Sequence, residues 1–96
     1  MNQLLVLNTP PELEDDMVDY LLTVTPTGGF TSYPVHGHGE QRRLSIAEQV
    51  AGRRKRVQFE LILAEEGVTD LLAGIGTQVG NDIFYWRQSI ASSGRI

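Results

Sequence analysis

Cysteine is absent from the 96 residues. That absence removes disulfides, thiolate zinc sites, iron–sulfur clusters and cysteine nucleophiles together. No apolar run approaches the roughly 18 residues that a membrane-spanning helix requires, so no membrane insertion is expected. The amino terminus, Met1-Asn2-Gln3, has no basic region and leads straight into a strand-like stretch, unlike a secretory leader. The default expectation is a cytoplasmic protein. What remains is 41% hydrophobic, enough for one small domain with a core of its own. The net charge is −4, and its distribution says more than its sum. Glu12, Glu14, Asp15, Asp16 and Asp19 crowd one early segment, while Arg42, Arg43, Arg53, Arg54, Lys55 and Arg56 supply most of the eight cations.

Leu4-Leu5-Val6-Leu7 is a continuous apolar run, the pattern of a central strand buried on both faces. Thr9-Pro10-Pro11-Glu12 fits a capping box, with the Thr9 hydroxyl on the third helical amide and Glu12 reaching back. The acidic cluster then reads as a helix start and its wet side, complementing the helix dipole. Leu13, Met17, Leu21 and Val24 form the inward stripe, flanked by Val18 and Tyr20. A strand is expected over 29–35, at a sheet edge because Pro34 cannot donate to a ladder. A long loop follows at about 36–55, with a helical turn over 45–51. Residues 56–63 read as a strand entering the core, and Glu65-Glu66-Gly67 as a turn. Val68, Leu71, Leu72, Ile75 and Val79 fall at helical spacing, and 83–87 forms the last strand. Strand, helix, strand, strand, helix, strand makes two βαβ units. The predicted fold is therefore α+β: a ferredoxin-like βαββαβ plait, with a four-stranded antiparallel sheet and both helices on one face. The other face stays bare unless a second subunit covers it.

The most unusual chemistry sits at the mouth of the loop, in Val35-His36-Gly37-His38-Gly39-Glu40-Gln41. His36, His38 and Glu40 alternate with two glycines, so extended backbone puts all three on one side. Two imidazoles at that spacing with a carboxylate behind them can converge on Zn²⁺ or Cu²⁺. A pair of solvated loop histidines has the same sequence signature, and His-x-His alone is a weak one. Neither histidine has a nominated nucleophile or orienting partner, so no enzyme activity is expected. Arg53-Arg54-Lys55-Arg56 invites a nucleic-acid reading, but the basic-Gly-aromatic strand motif of RNA-recognition domains is missing and the chain is acidic overall. No nucleic-acid partner is expected. A phosphate-bearing ligand such as an adenine nucleotide could instead reach this basic run.

The helix pattern, Val35-His36-Gly37-His38-Gly39-Glu40-Gln41, the long loop and Gly80-Asn81-Asp82-Ile83-Phe84 together resemble the PII and PII-like signalling proteins. In those proteins the second strand exits through Lys-Gly-Phe-Gly-Arg-Gln and the last strand opens with Gly-Asp-Gly-Lys-Ile-Phe. The resemblance implies a ferredoxin-like homotrimer with a mobile loop between its second and third strands. It further implies adenine-nucleotide clefts between subunits and control of a protein partner by contact, a membrane transporter among the candidates. Gly37, Gly39 and Gln41 match the loop-start motif, and Gly80 the motif before the last strand. Gln41 falls where that family engages magnesium–nucleotide and 2-oxoglutarate. Arg53 and Arg54 join these as candidate ligand-binding residues. The chain also departs from the pattern. Glu40 stands where the family has a phosphate-binding Arg, and Asp82 where it has a phosphate-binding Lys. Each reversal opposes a polyphosphate by on the order of a few kcal/mol at an effective dielectric near 20. The loop has no tyrosine for uridylylation. The expectation is thus a ligand- or metal-responsive PII-like regulator acting through its loop. The alternative is a CutA-like divalent-metal-binding protein in metal tolerance, with His36, His38 and Glu40 as its ligands and no signalling partner.

Overall fold

The apolar run around Leu5 does lie at the middle of the sheet, in a computed structural model that describes residues 1–24, 29–39 and 54–96. The elements are β1 (Asn2–Thr9), a 3₁₀ turn (Pro11–Leu13), α1 (Glu14–Val24), β2 (Thr31–Gly37), β3 (Arg54–Ala64), α2 (Glu65–Gln78) and β4 (Phe84–Ser89). The strand order is β2-β3-β1-β4, and each neighbouring pair is antiparallel. This is the arrangement expected of a ferredoxin-like plait, with both helices on one side. β1 is hydrogen-bonded on both edges, and Leu5, Val6 and Leu7 are all buried. β2 is an edge strand, which is what lets Pro34 sit inside it.

Alternation along the strands divides the residues between two faces. Leu5 and Leu7 on β1 stand opposite Leu61 and Phe59 on β3, and with Val57 they meet the helices. Met17, Tyr20 and Leu21 from α1 and Val68, Leu71 and Ile75 from α2 complete that core. The helices are tied to each other where the Tyr20 hydroxyl donates to the Leu71 carbonyl at 2.6 Å. Gly74 faces the same ring: a Cβ there would lie 2.9 Å from the Tyr20 Cζ, so the close approach requires glycine.

Several local expectations are corrected. The capping box does not form. Thr9 is the last residue of β1, paired with Val57 and fully buried, and its hydroxyl has no hydrogen-bond partner. The helix instead starts through the 3₁₀ turn after Pro10, without a side-chain cap. Glu65-Glu66-Gly67 is not a turn, because α2 begins at Glu65 directly after β3. The two carboxylates there lie in the first turn, where the dipole favours them. The glycine falls among the amides that lack helical acceptors, so little is lost. The connection after β2 is shorter than 36–55, because pairing of His36 with Lys55 and Gly37 with Arg54 extends both strands. The helical turn expected over 45–51 lies outside the described residues. Among the described residues, no helix is long and apolar enough to cross a membrane.

Candidate functional site

On the face away from the helices, β3 presents Arg54, Arg56, Gln58, Glu60 and Ile62. Asn8 of β1 stands opposite both Gln58 and Phe84, and Val6 opposite both Glu60 and Trp86. The result is a cleft of about 220 Å³ lined by Asn8, Gly37, His38, Arg54, Arg56, Phe84 and Trp86. It lies at the mouth of the β2–β3 connection, with walls from both of its flanking strands.

Arg56 organises the cleft. A charged side chain 3% exposed is tolerable only with several acceptors around it. Its Nε donates to Asn8 Oδ1 at 2.5 Å, and its Nη2 to the carbonyls of Asn8 at 2.7 Å and Asp82 at 2.8 Å. Its Nη1 reaches the Asp82 carboxylate at 3.3 Å, and the guanidinium lies 5.2 Å from the centre of the Phe84 ring. Arg54 Nη2 donates to the same Asp82 oxygen. Asp82 is positioned by a left-handed backbone, φ +62°, in the turn before β4, a conformation that aspartate tolerates better than most residues.

The polar chain continues across the sheet. Asn8 Nδ2 donates to Gln58 Oε1 at 3.2 Å, Gln58 Nε2 donates to the Tyr33 hydroxyl at 3.0 Å, and that hydroxyl donates to Glu60. The hydrogen bond to Glu60 holds the Tyr33 phenol above its usual range. The Gln58 donor works against it, while desolvation and the Glu60 charge add to it. One connected row therefore runs from Glu60 on β3 through β2 and β1 to Asp82. Arrays of this kind fix side chains in place, so the cleft is pre-organised.

Of the residues predicted for a site, Gly37, His38 and Arg54 are brought together in this cleft. Gly39 follows with φ +96°, which only glycine adopts readily. Gly80 lies elsewhere. Its φ is +154°, a Cβ on it would be 2.9 Å from Leu13, and it closes α2 against the 3₁₀ turn. His36 is within β2 opposite Lys55, and strand alternation directs it away from the face that carries Arg54 and Arg56. Glu40, Gln41 and Arg53 lie outside the described residues. Among the described residues no three His, Asp or Glu side chains are grouped to hold a metal ion. Sequence reasoning missed Asn8, Phe84 and Trp86 as cleft residues, and saw Arg56 only as part of a basic run. The alternation of Arg56, Gln58 and Glu60 along β3 was the available signal. The places of Asn8 and Trp86 depend on strand register.

A family model described as a protein of unknown function, DUF3240, matches residues 1–96. No curated protein matches the chain. Among solved structures, a DUF3240 family protein from Shewanella baltica OS155, determined at 2.40 Å resolution, is similar at 25% sequence identity. The match covers 99% of this chain and 96% of that one, with a TM-score of 0.81. Matched along its whole length, the chain belongs to the DUF3240 family.

Proposed function

We propose that this protein is a non-enzymatic regulator of the PII-like kind. It assembles as a homotrimer, takes a small anionic ligand into the Arg54–Arg56 cleft, and acts on a protein partner through the segment joining β2 to β3. An adenine nucleotide is the first ligand to try, and a membrane transporter is one class of partner. The observation that carries this reading is the position of the cleft. Gly37 and His38 precede that segment and Arg54 and Arg56 follow it, so an occupant touches both of its ends. Binding that distinguishes two arrangements of such a segment shifts their populations, and this is how occupancy becomes a signal.

Two further observations support assembly. Ile62, Phe84 and Trp86 are 47%, 47% and 46% exposed on the sheet face away from α1 and α2, where a second subunit could cover them. The cleft, about 220 Å³, is smaller than the roughly 300–1,000 Å³ of ordinary ligand pockets. One protomer thus supplies part of a nucleotide site, and a neighbour would supply the rest. Light scattering, together with calorimetry using ATP, ADP, AMP, Zn²⁺ and Cu²⁺, tests the proposal. A trimer that binds a nucleotide, with affinity lost in Arg56→Gln, supports it. A monomer that binds none of these overturns it. Metal binding lost in His36→Ala/His38→Ala would transfer the assignment to metal tolerance.

A further inference from the structure

The two arginines that line the cleft already meet an anion, and it belongs to the chain. We infer that the Asp82 carboxylate is a built-in occupant of an oxyanion subsite, and that a ligand's carboxylate or phosphate group binds by displacing it. This rests on the reading of the cleft as a ligand site and concerns how that site is regulated.

The arrangement of donors carries the argument. Arg56 is held by three oxygens that bear no formal charge: Asn8 Oδ1, the Asn8 carbonyl and the Asp82 carbonyl. Those bonds use Nε and Nη2. A different nitrogen, Nη1, is directed at the Asp82 carboxylate, and Arg54 Nη2 approaches the same Oδ2 from a second direction. The framework that positions the guanidinium is therefore separate from the donors that meet the negative charge. Rotation of the Asp82 side chain out of the cleft would leave Arg56 in place, because its contact to residue 82 through the backbone carbonyl does not depend on that rotation. Two converging guanidinium donors are the geometry that carboxylates and phosphates select.

The surroundings define the ligand class. Phe84 and Trp86 flank the two arginines, and Gly37 on the opposite side presents no side chain. A flat apolar body bearing one oxyanion fits walls of that chemistry, and the cleft volume limits it to a small one. A planar carboxylate has these features within one protomer, and a nucleoside monophosphate would place only its phosphate and part of its base there, the rest meeting a neighbouring subunit. The resident carboxylate makes the ligand compete with an intramolecular group. Apparent affinity falls by the fraction of molecules in which the subsite is open, and removing the competitor restores it.

Trp86 is the single tryptophan of the chain and lines the cleft, so its fluorescence reports occupancy. Wild type, Asp82→Asn and Asp82→Gly are titrated with inorganic phosphate, benzoate and AMP, with circular dichroism confirming the fold. Asparagine and glycine both tolerate the left-handed backbone at position 82, and either suffices if the other fails to fold. The expected result is about tenfold or greater tightening for benzoate or AMP when the competing carboxylate is removed, and loss of binding when Arg54→Gln is added. Tightening with benzoate alone would assign a carboxylate ligand, and with AMP or phosphate alone a phosphate ligand. Equal affinity in wild type and both Asp82 variants overturns the inference while leaving the cleft a binding site. No binding of any probe in any of the proteins overturns both.

Discussion

The two faces of one sheet use the same strands for opposite purposes. Toward the helices, Leu5, Leu7, Val57, Phe59 and Leu61 make an apolar layer with few polar atoms. Toward the other side, the residues between them (Asn8, Arg56, Gln58, Glu60) make a hydrogen-bonded row flanked by exposed aromatics. A strand that alternates sides every residue can serve stability and chemistry at once, provided register is fixed. Fixing it is the work of the helix-covered face, where a slip by one residue would turn every apolar side chain outward. The polar row on the open face is thus held in register because the opposite face is committed.

The sharpest way to test this division is to delete apolar atoms from each face of one strand. Phe59 is fully buried, whereas Ile62 is 47% exposed. Phe59→Ala is expected to cost about 3–5 kcal/mol in urea denaturation, from lost transfer energy and the cavity left behind. Ile62→Ala should stay within about 0.5 kcal/mol in a protomer. If the trimer is real, it should weaken association as read by light scattering. Equal costs for the two would mean that the faces are not energetically distinct.

The polar row should carry stability of a second kind. Arg56→Ala removes the donor from two carbonyls and an amide oxygen at once, and leaving such acceptors unsatisfied costs about 1–3 kcal/mol. Near-neutral behaviour in denaturation would show the row to be ornament to the fold. Smaller again is the expected effect at Gly74, where α2 meets Tyr20. Alanine in a helix interior normally gains about 1 kcal/mol over glycine, but here its Cβ would overlap the Tyr20 ring and hydroxyl. A net destabilisation of about 1 kcal/mol is expected, consistent with overpacking that exceeds the helix gain. A stabilised Gly74→Ala protein would show that the helices separate easily.

How legible each face was in the sequence follows from the same comparison. The apolar layer could be read because it rests on local periodicity: the run at 4–7, the alternation entering 57–61, and the spacing of Val68, Leu71 and Ile75. The PII-like resemblance pointed to Gly37, which with His38 and Arg54 does line the cleft. The partners of Arg56 could not be read. Asn8 and Arg56 are far apart in the chain and meet only because Asn8 pairs with Gln58, and Asp82 arrives from a turn whose direction depends on a single positive φ. Thr9 shows the limit from the other side. Its sequence fits a capping motif, yet β1 pairing extends through it, its hydroxyl is buried, and the cap does not form.

The least costly probe of the open face is Tyr33→Phe, whose effect should appear mainly as a change in pH dependence. The Tyr33 phenol is held above its ordinary value of about 10, chiefly because it donates to Glu60. A raised value means that the folded chain binds this proton more tightly than the unfolded chain does. The resulting stability is fully present below the unfolded value and is lost as pH rises through the folded one. Between pH 8 and pH 11, wild type should therefore lose more stability than Tyr33→Phe. Burial also raises the Tyr20 hydroxyl. It is common to both proteins, so the difference between the two slopes isolates Tyr33. Parallel slopes would mean that the Tyr33–Glu60 bond is not maintained in solution. The polar row would then end at Gln58, leaving Asn8, Arg54, Arg56 and Asp82 as its part beside the cleft.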